Sequence, residues 1–322
     1  MMRAIEVATH GGPENLQVVD IERPAPGAGE VLVEVRLSGV NFLDVYQRVG
    51  GTPVSAPFLA GVEGMGVIAE RGPDVVDLDV GRRIGWLAGG QGSFADFAVV
   101  DAGKAVVIPD DVSDESAVAV LMQGVTAHYL ATDTYPIERG DTVLIHAAAG
   151  GVGQMLTQIA KLKGATVIGT VSTEEKAAVA RGAGADHVVG YDDFPSEVER
   201  ITGGTGVAAV YDGVGAATFD GSLASLAVRG TYVVFGTSSG PTPPLDIPRL
   251  NSGGSLFVTR PSVVHHVRTP DELRARARDL FAWLASGDLV VSIGGRYPVE
   301  EASDAFSALE SRETTGKILL TH

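Results

Sequence analysis

Residues 142–153 constrain this chain more than any other stretch. They read Thr142-Val143-Leu144-Ile145-His146-Ala147-Ala148-Ala149-Gly150-Gly151-Val152-Gly153. An apolar, partly β-branched run fit for a buried strand passes into small residues and then into a helix-spaced segment, 151–162. Against the pattern G-x-G-x-x-G, Ala148 stands at the first glycine, and Gly150 and Gly153 fill the other two. At Gly150 the backbone can approach a pyrophosphate, and at Gly153 the helix can pack close to the sheet. The free N–H groups and positive dipole end of the helix would face the phosphates. Met155, Ile159 and Leu162 fall on one face, which predicts the face seated on the sheet, and Gly164 is placed to stop the helix. A glycine cluster alone also fits a plain strand-to-helix turn. Strand, cluster and amphipathic helix together point to a dinucleotide site.

The surrounding pattern has two characters. Strands are predicted at 31–37, 66–70, 83–86 and 94–100, punctuated by Gly and Pro as in a barrel-like β domain. Ser113-Asp114-Glu115-Ser116 can start a helix over 117–131. From Thr142 onward, strands (142–146, 165–171, 187–189, 207–211, 231–235) alternate with helices (151–162, 174–181, 195–201, 218–226). Such alternation predicts a doubly wound parallel sheet. A Gly/Pro-rich segment at 238–248 interrupts it. A charged helix over 270–284, a strand at 289–293, a further helix and a strand at 317–320 follow.

Composition narrows the function classes. With 45% hydrophobic and 20% charged residues the chain is globular rather than disordered. No run approaches the roughly 18 apolar residues of a membrane span, and no secretory pattern stands at Met1, so a cytoplasmic protein is expected. The 24 basic and 40 acidic residues give a net charge of −16, which repels nucleic acid and anionic lipid. There is no cysteine, which excludes disulfides, thiolate nucleophiles and cysteine zinc sites. The adjacent pair His265-His266 points its side chains apart and lacks a carboxylate pattern, so no metal is expected.

The second strand indicates which cofactor is bound. An NAD site ends this strand with Asp or Glu, about 20 residues after the glycines. Here the chain reads Ile168-Gly169-Thr170-Val171-Ser172-Thr173. Glu174 and Glu175 come next, but Ser172-Thr173-Glu174-Glu175 is a capping-box pattern that gives Glu175 a structural task on the Ser172 N–H. Lys176, in the first turn of that helix, is either a partner for a 2′-phosphate or a solvated surface lysine; the former selects NADPH.

These motifs resemble the quinone oxidoreductase (zeta-crystallin-like) branch of the medium-chain dehydrogenase/reductases, over nearly the whole chain. The likeness rests on Gly140-Asp141, Leu144, residues 148–153, Gln158 and Lys161. It extends to His10-Gly11-Gly12-Pro13-Glu14-Asn15-Leu16, to residues 39–46, 61–67 and 123–129, and to Phe235-Gly236-Thr237-Ser238-Ser239-Gly240. Val258-Thr259-Arg260-Pro261-Ser262 looks especially like the bacterial NADPH:quinone reductases.

The resemblance implies an α/β chain with a GroES-like β-rich catalytic domain (1–122 and 259–322) and a doubly wound Rossmann domain (123–258). The active site would be the interdomain cleft, and the protein a homodimer. Asn41 and Tyr46 would sit beside the nicotinamide, and Thr126 and Tyr129 would line the cofactor channel. Gly150, Gly151, Val152 and Gly153 would hold the pyrophosphate, and Ser172, Lys176 and Tyr191 the 2′-phosphate. Phe235, Gly236, Thr237, Ser238, Val258, Thr259 and Arg260 would hold the nicotinamide half. Ser172 and Gly213 stand where relatives often carry Gly and Ser. Glu63 resembles a glutamate near the zinc site of zinc-dependent relatives; without zinc it is expected to be buried and hydrogen-bonded.

The implied activity is metal-free transfer of reducing equivalents from NADPH to a small quinone, in which protein groups mainly position the reactants. Tyr46 is either a proton donor or a pocket wall. Two alternatives remain: an NADPH-dependent enone or enoyl reductase, and a non-catalytic, crystallin-like NADPH-binding protein.

Overall fold

The computed structural model describes residues 1–322. The chain forms two compact units, Met1–Val125 with Val267–His322, and Thr126–His266. No helix is long and apolar enough to cross a membrane.

The continuous unit is built on a six-stranded sheet, and every neighbouring pair in it is parallel. Its spatial order is His187–Val189, Thr166–Thr170, Thr142–Ile145, Val207–Asp212, Leu226–Val234, Phe257–Thr259. These strands are near-continuous apolar runs because helices cover a parallel sheet on both faces. The helix Gly151–Leu162 seats Met155 and Ile159 against the sheet, but Leu162, expected on the same face, is 43% exposed. It lies in the last turn, where the helix leaves the sheet for Gly164, which takes a positive φ of 86°. The second break of the units falls after His266, and Phe257–Thr259 is an edge strand of this sheet.

In the discontinuous unit, Glu30–Val40 is the hub. It pairs antiparallel with Glu63–Arg71, with Phe97–Asp101 and, through its last residues, with Lys317–Thr321. Register shifts at Leu32/Val33 and Val35/Leu37 bend the strand, which lets it serve neighbours from distant parts of the chain. Residues 94–96, expected in a strand with 97–100, bridge from the hub to the first strand: Val35 N–H donates to the Asp96 carbonyl at 3.0 Å, while Ile5 N–H donates to the Phe94 carbonyl at 2.8 Å and Asp96 N–H to that of Arg3 at 3.0 Å. The strand expected at 289–293 begins only at Ile293. Leu289 is buried and its N–H closes the preceding helix on the Trp283 carbonyl, two residues after Gly287 reverses the chain in the left-handed region.

The two ends of the chain share one core. Phe94, fully buried, meets the ring of Phe306 edge-on at 6.2 Å, and Val40, Phe58, Ile318 and Leu320 surround them. Truncating a buried aromatic leaves a cavity that a packed core closes poorly. Phe94→Ala is expected to lower unfolding free energy by about 3–5 kcal/mol in denaturant titrations. A loss under about 1 kcal/mol would mean that this core is not continuous.

Candidate active site

All six parallel strands present their carboxyl ends at one edge. The chain runs outward from Thr142–Ile145 through Thr166–Thr170 to His187–Val189, then returns to the other side of Thr142–Ile145 with Val207–Asp212. The reversal creates a crevice at the end of Thr142–Ile145, the position where open α/β sheets bind ligands. The glycine turn sits there. Ala147 takes φ 51°, a left-handed conformation rare outside glycine. A Cβ on Gly153 would stand 2.3 Å from the Ala147 carbonyl oxygen and 2.8 Å from Ala148 Cα. Gly150 caps the helix Gly151–Leu162 without a side chain, so Gly151, Val152 and Gly153 open the helix with free N–H groups beside a bare backbone. This is a cradle that fits a dinucleotide's phosphates.

Ser172, Lys176, Tyr191 and residues 235–238 lie along the same edge, each beyond the carboxyl end of a strand. After Thr166–Thr170, Lys176 Nζ donates to Ser172 Oγ at 3.3 Å. The helix cap is Thr173 rather than Ser172: its Oγ1 accepts from Lys176 N–H, so the cap is displaced by one residue from the box read at 172–175 and Ser172 is left outside the helix. Glu174 pairs with Arg181 at 2.7 Å, away from any ribose role. Tyr191 lies at the glycine turn, its hydroxyl accepting from Ala147 N–H at 3.1 Å. Residues 235–238 follow Leu226–Val234 and fold against 212–213: Phe235 N–H donates to the Asp212 carbonyl and Ser238 N–H to that of Gly213. A Cβ at Gly236 would come within 2.8 Å of the Gly213 carbonyl oxygen, and one at Gly213 within 3.0 Å of the Phe235 ring. A side chain at 213 would therefore have to displace that ring. Val258 and Thr259 lie on the edge strand Phe257–Thr259, and Arg260, exposed, follows it. Thr126 is half-buried; Tyr129 is buried and its ring stacks on that of His266, centroids 4.1 Å apart and nearly coplanar.

Beneath the turn runs a buried polar network that the sequence reading missed. His146 bridges Thr170 Oγ1 and Ser222 Oγ, each at 2.9 Å. Asp212, fully buried, accepts from Val214 N–H, Gly215 N–H, Thr218 Oγ1 and Tyr232 OH at 2.6–3.0 Å. These donors replace water around the carboxylate and tie Val207–Asp212 and the loop after it to Leu226–Val234. Burial holds the imidazole neutral, with its pKa down at about 4, and burial beside Asp212 raises the Tyr232 phenol.

In the other unit, Tyr46 is half-buried on the helix Phe42–Arg48, its ring 6.2 Å from that of Phe42. Asn41 precedes this helix. Its N–H donates to Asp44 Oδ2 at 2.8 Å, and its side chain joins Glu63 and Lys317. Glu63 and Lys317 are a fully buried ion pair, and Glu63 Oε1 also accepts from Met122 N–H at 2.6 Å. Burial pushes the Asp44 carboxyl up to about 7, although the Asn41 N–H and the Lys317 charge oppose the rise.

Two family models match the chain, an alcohol dehydrogenase GroES-like domain over residues 27–110 and a zinc-binding dehydrogenase over residues 151–286. Quinone oxidoreductase 1 of Escherichia coli strain K12 is 40% identical over 325 residues, covering 99% of both chains. A 2-haloacrylate reductase of a Burkholderia species is 37% identical over 332 residues, again with 99% of both covered. A mycobacterial protein solved in complex with NADPH superposes over the whole of both chains with a TM-score of 0.97 and 48% identity. The chain belongs to the quinone oxidoreductase branch of the medium-chain dehydrogenase/reductases. Members named for zinc need a donor set that this quinone oxidoreductase relative does not offer. It has no cysteine, and no three His, Asp or Glu side chains converge as metal ligands. The Glu63 carboxylate already carries a lysine.

The buried imidazole makes stability depend on pH. Unfolded histidine takes a proton near 6.5, whereas His146 stays neutral down to about 4. The unfolded chain therefore binds more protons in that window, and the contribution of His146 to stability is lost as pH falls from about 6.5 to about 4. The stability margin of the wild type over His146→Gln is expected to shrink across this range in denaturant titrations at fixed ionic strength. A margin independent of pH would mean that the imidazole protonates within the fold.

Proposed function

We propose that this protein is a quinone reductase that uses NADPH and needs no metal. The observation carrying this reading is the phosphate cradle at the switch point, bordered by a Ser172–Lys176 contact where an NAD site has a carboxylate. Both nearby glutamates have other tasks: Glu174 pairs with Arg181, and Glu175 lies beside the capping Thr173. Likeness to quinone oxidoreductases over full length, and to a protein solved with NADPH, supports the same reading. The cysteine-free donor set supports a reaction without zinc.

In this reading residues 150–153 hold the pyrophosphate, and Ser172, Lys176 and Tyr191 take the 2′-phosphate end. Thr126 and Tyr129 line the cofactor channel. Residues 235–238 and 258–260 hold the nicotinamide half, with Asn41 and Tyr46 beside it. Bound NADPH supplies the hydride. Quinones accept hydride readily, so the residues mainly orient the reactants and exclude water. The compartment assigned is the cytoplasm. A homodimer is part of the proposal. Its support is the edge strand Phe257–Thr259, which has a neighbour on one side only, and the exposed side chains of Phe257 and Val228.

The likeness to a 2-haloacrylate reductase favours a second reading, reduction of an activated C=C bond. NADPH oxidation by the purified protein, without added metal, against a quinone panel and an enone panel separates the two. Fast turnover of quinones with none of enones supports quinone reduction. The reverse moves the protein to the double-bond reductases. Lys176→Ala is expected to weaken NADPH roughly ten- to hundredfold, the value of a charge-assisted bond, and to leave NADH nearly unchanged. Equal losses for both cofactors would remove the 2′-phosphate assignment. Tyr46→Phe is expected to lower kcat by less than about tenfold; a loss beyond about a thousandfold would make Tyr46 a general acid.

A further inference from the structure

The hydrogen-bonding valences of the Asn41 amide are already used inside the protein. Its Oδ1 accepts from Lys317 Nζ at 2.8 Å and, in a capping box, from the Asp44 N–H, and its Nδ2 donates to Glu63 Oε2 at 2.9 Å and to the Gly39 carbonyl at 3.0 Å. An ammonium can only donate and a carboxylate can only accept, so these neighbours permit one orientation of the amide. Turning it over would set its NH2 against the Lys317 ammonium and its oxygen against the Glu63 carboxylate.

The arrangement is built into the sheet. Asn41 follows the hub strand Glu30–Val40 directly, while Glu63 and Lys317 begin the two strands that flank that strand's end, with Ser38 opposite Gly64 and Val40 opposite Ile318. The ion pair rests against Gly39. A Cβ there would lie 2.2 Å from Glu63 Oε2 and 2.4 Å from Lys317 Cε, so only glycine lets the pair reach the amide. Met122 N–H takes the other Glu63 oxygen and keeps the carboxylate from turning away.

We infer that Lys317 is a positioning residue that fixes the Asn41 amide, so that Asn41 meets a neighbouring ligand in a single orientation and with no free donor. The inference rests on the proposed function for one point, the place of Asn41 beside the nicotinamide. It defines what Asn41 does there. With both of its N–H groups already donated to Glu63 and Gly39, Asn41 cannot polarise the carbonyl of an oxidised acceptor.

Removing Lys317 alone would strand a buried carboxylate, so the test uses the neutral pair Glu63→Gln/Lys317→Met. Side-chain amide exchange of Asn41 is followed by NMR in [15N]asparagine-labelled protein, with Asn41→Ala assigning the signal. Steady-state NADPH oxidation with a quinone is followed in parallel. The neutral pair is expected to speed Asn41 amide exchange at least about tenfold and to lower kcat about tenfold, while KM for NADPH moves less than about threefold. Introduced into Asn41→Ala, it should change kcat by less than about twofold, because the residue through which Lys317 acts is gone. Unchanged exchange, or an equal fall in kcat without Asn41, would overturn the inference. If the wild type turns over no quinone, the quinone reading fails, and amide exchange alone still decides the role of Lys317.

Discussion

A lysine and a glutamate buried together, with no exposed surface on either, hold the discontinuous unit to one arrangement. Such a pair adds little to stability beyond what apolar side chains of the same volume would add, because both charges must leave water. What it supplies is exclusiveness. Either charge without the other costs about 3–5 kcal/mol, so packings that separate them are rejected. The pair spans 254 residues of sequence and sits where the hub strand ends. The strand end, the start of the helix Phe42–Arg48 and the returning tail are thereby set relative to each other, and Asn41 and Asp44 inherit their places from it.

In the continuous unit the corresponding task falls to hydrogen bonds around a single charge. Asp212 has no cationic partner; backbone and hydroxyl donors surround it instead. The hydroxyls of Thr218, Ser222 and Tyr232 extend this field to His146, and His146 extends it to Thr170. The glycine turn stands on this platform. An alanine at positive φ, as at Ala147, is strained by about 1–2 kcal/mol. The strain persists because His146 below and the Tyr191 hydroxyl on its N–H over-determine the turn.

How much of this was legible in the sequence follows from the range of each interaction. The strand, glycines and helix of residues 142–162 are contiguous, and the helix Gly151–Leu162 and the strand His187–Val189 were both read with the observed bounds. The cap at 172–173 was missed by one residue because Ser and Thr can both cap, Ser slightly better, and the choice rests on where the strand Thr166–Thr170 releases the chain. Residues 94–96 have a strand-like pattern, but they are shared between the first strand and the hub, which period alone cannot tell. Glu63 was expected to be buried and bonded. Its partner Lys317 was invisible, since a lysine near the end of a chain reads as solvated until the sheet places it. His146 and Asp212 end two strands, and only the parallel register brings their side chains toward a common set of hydroxyls.

The return of the tail to the hub strand has a consequence for how the protein is made. Residues 126–266 are contiguous and can acquire their sheet while still emerging from the ribosome, which delivers the amino-terminal end first. The other unit has no such freedom. Lys317–Thr321 lies between Ile293–Pro298 and Glu30–Val40, in the interior of its sheet, and is translated after every other strand of that sheet. Until it arrives, the hub strand keeps an unpaired edge at its far end, and Glu63 waits without its cation. The site is therefore completed only once that strand is delivered, and a nascent chain halted short of Lys317 holds a nucleotide-binding half attached to an unfinished partner, the state most exposed to chaperones and to aggregation.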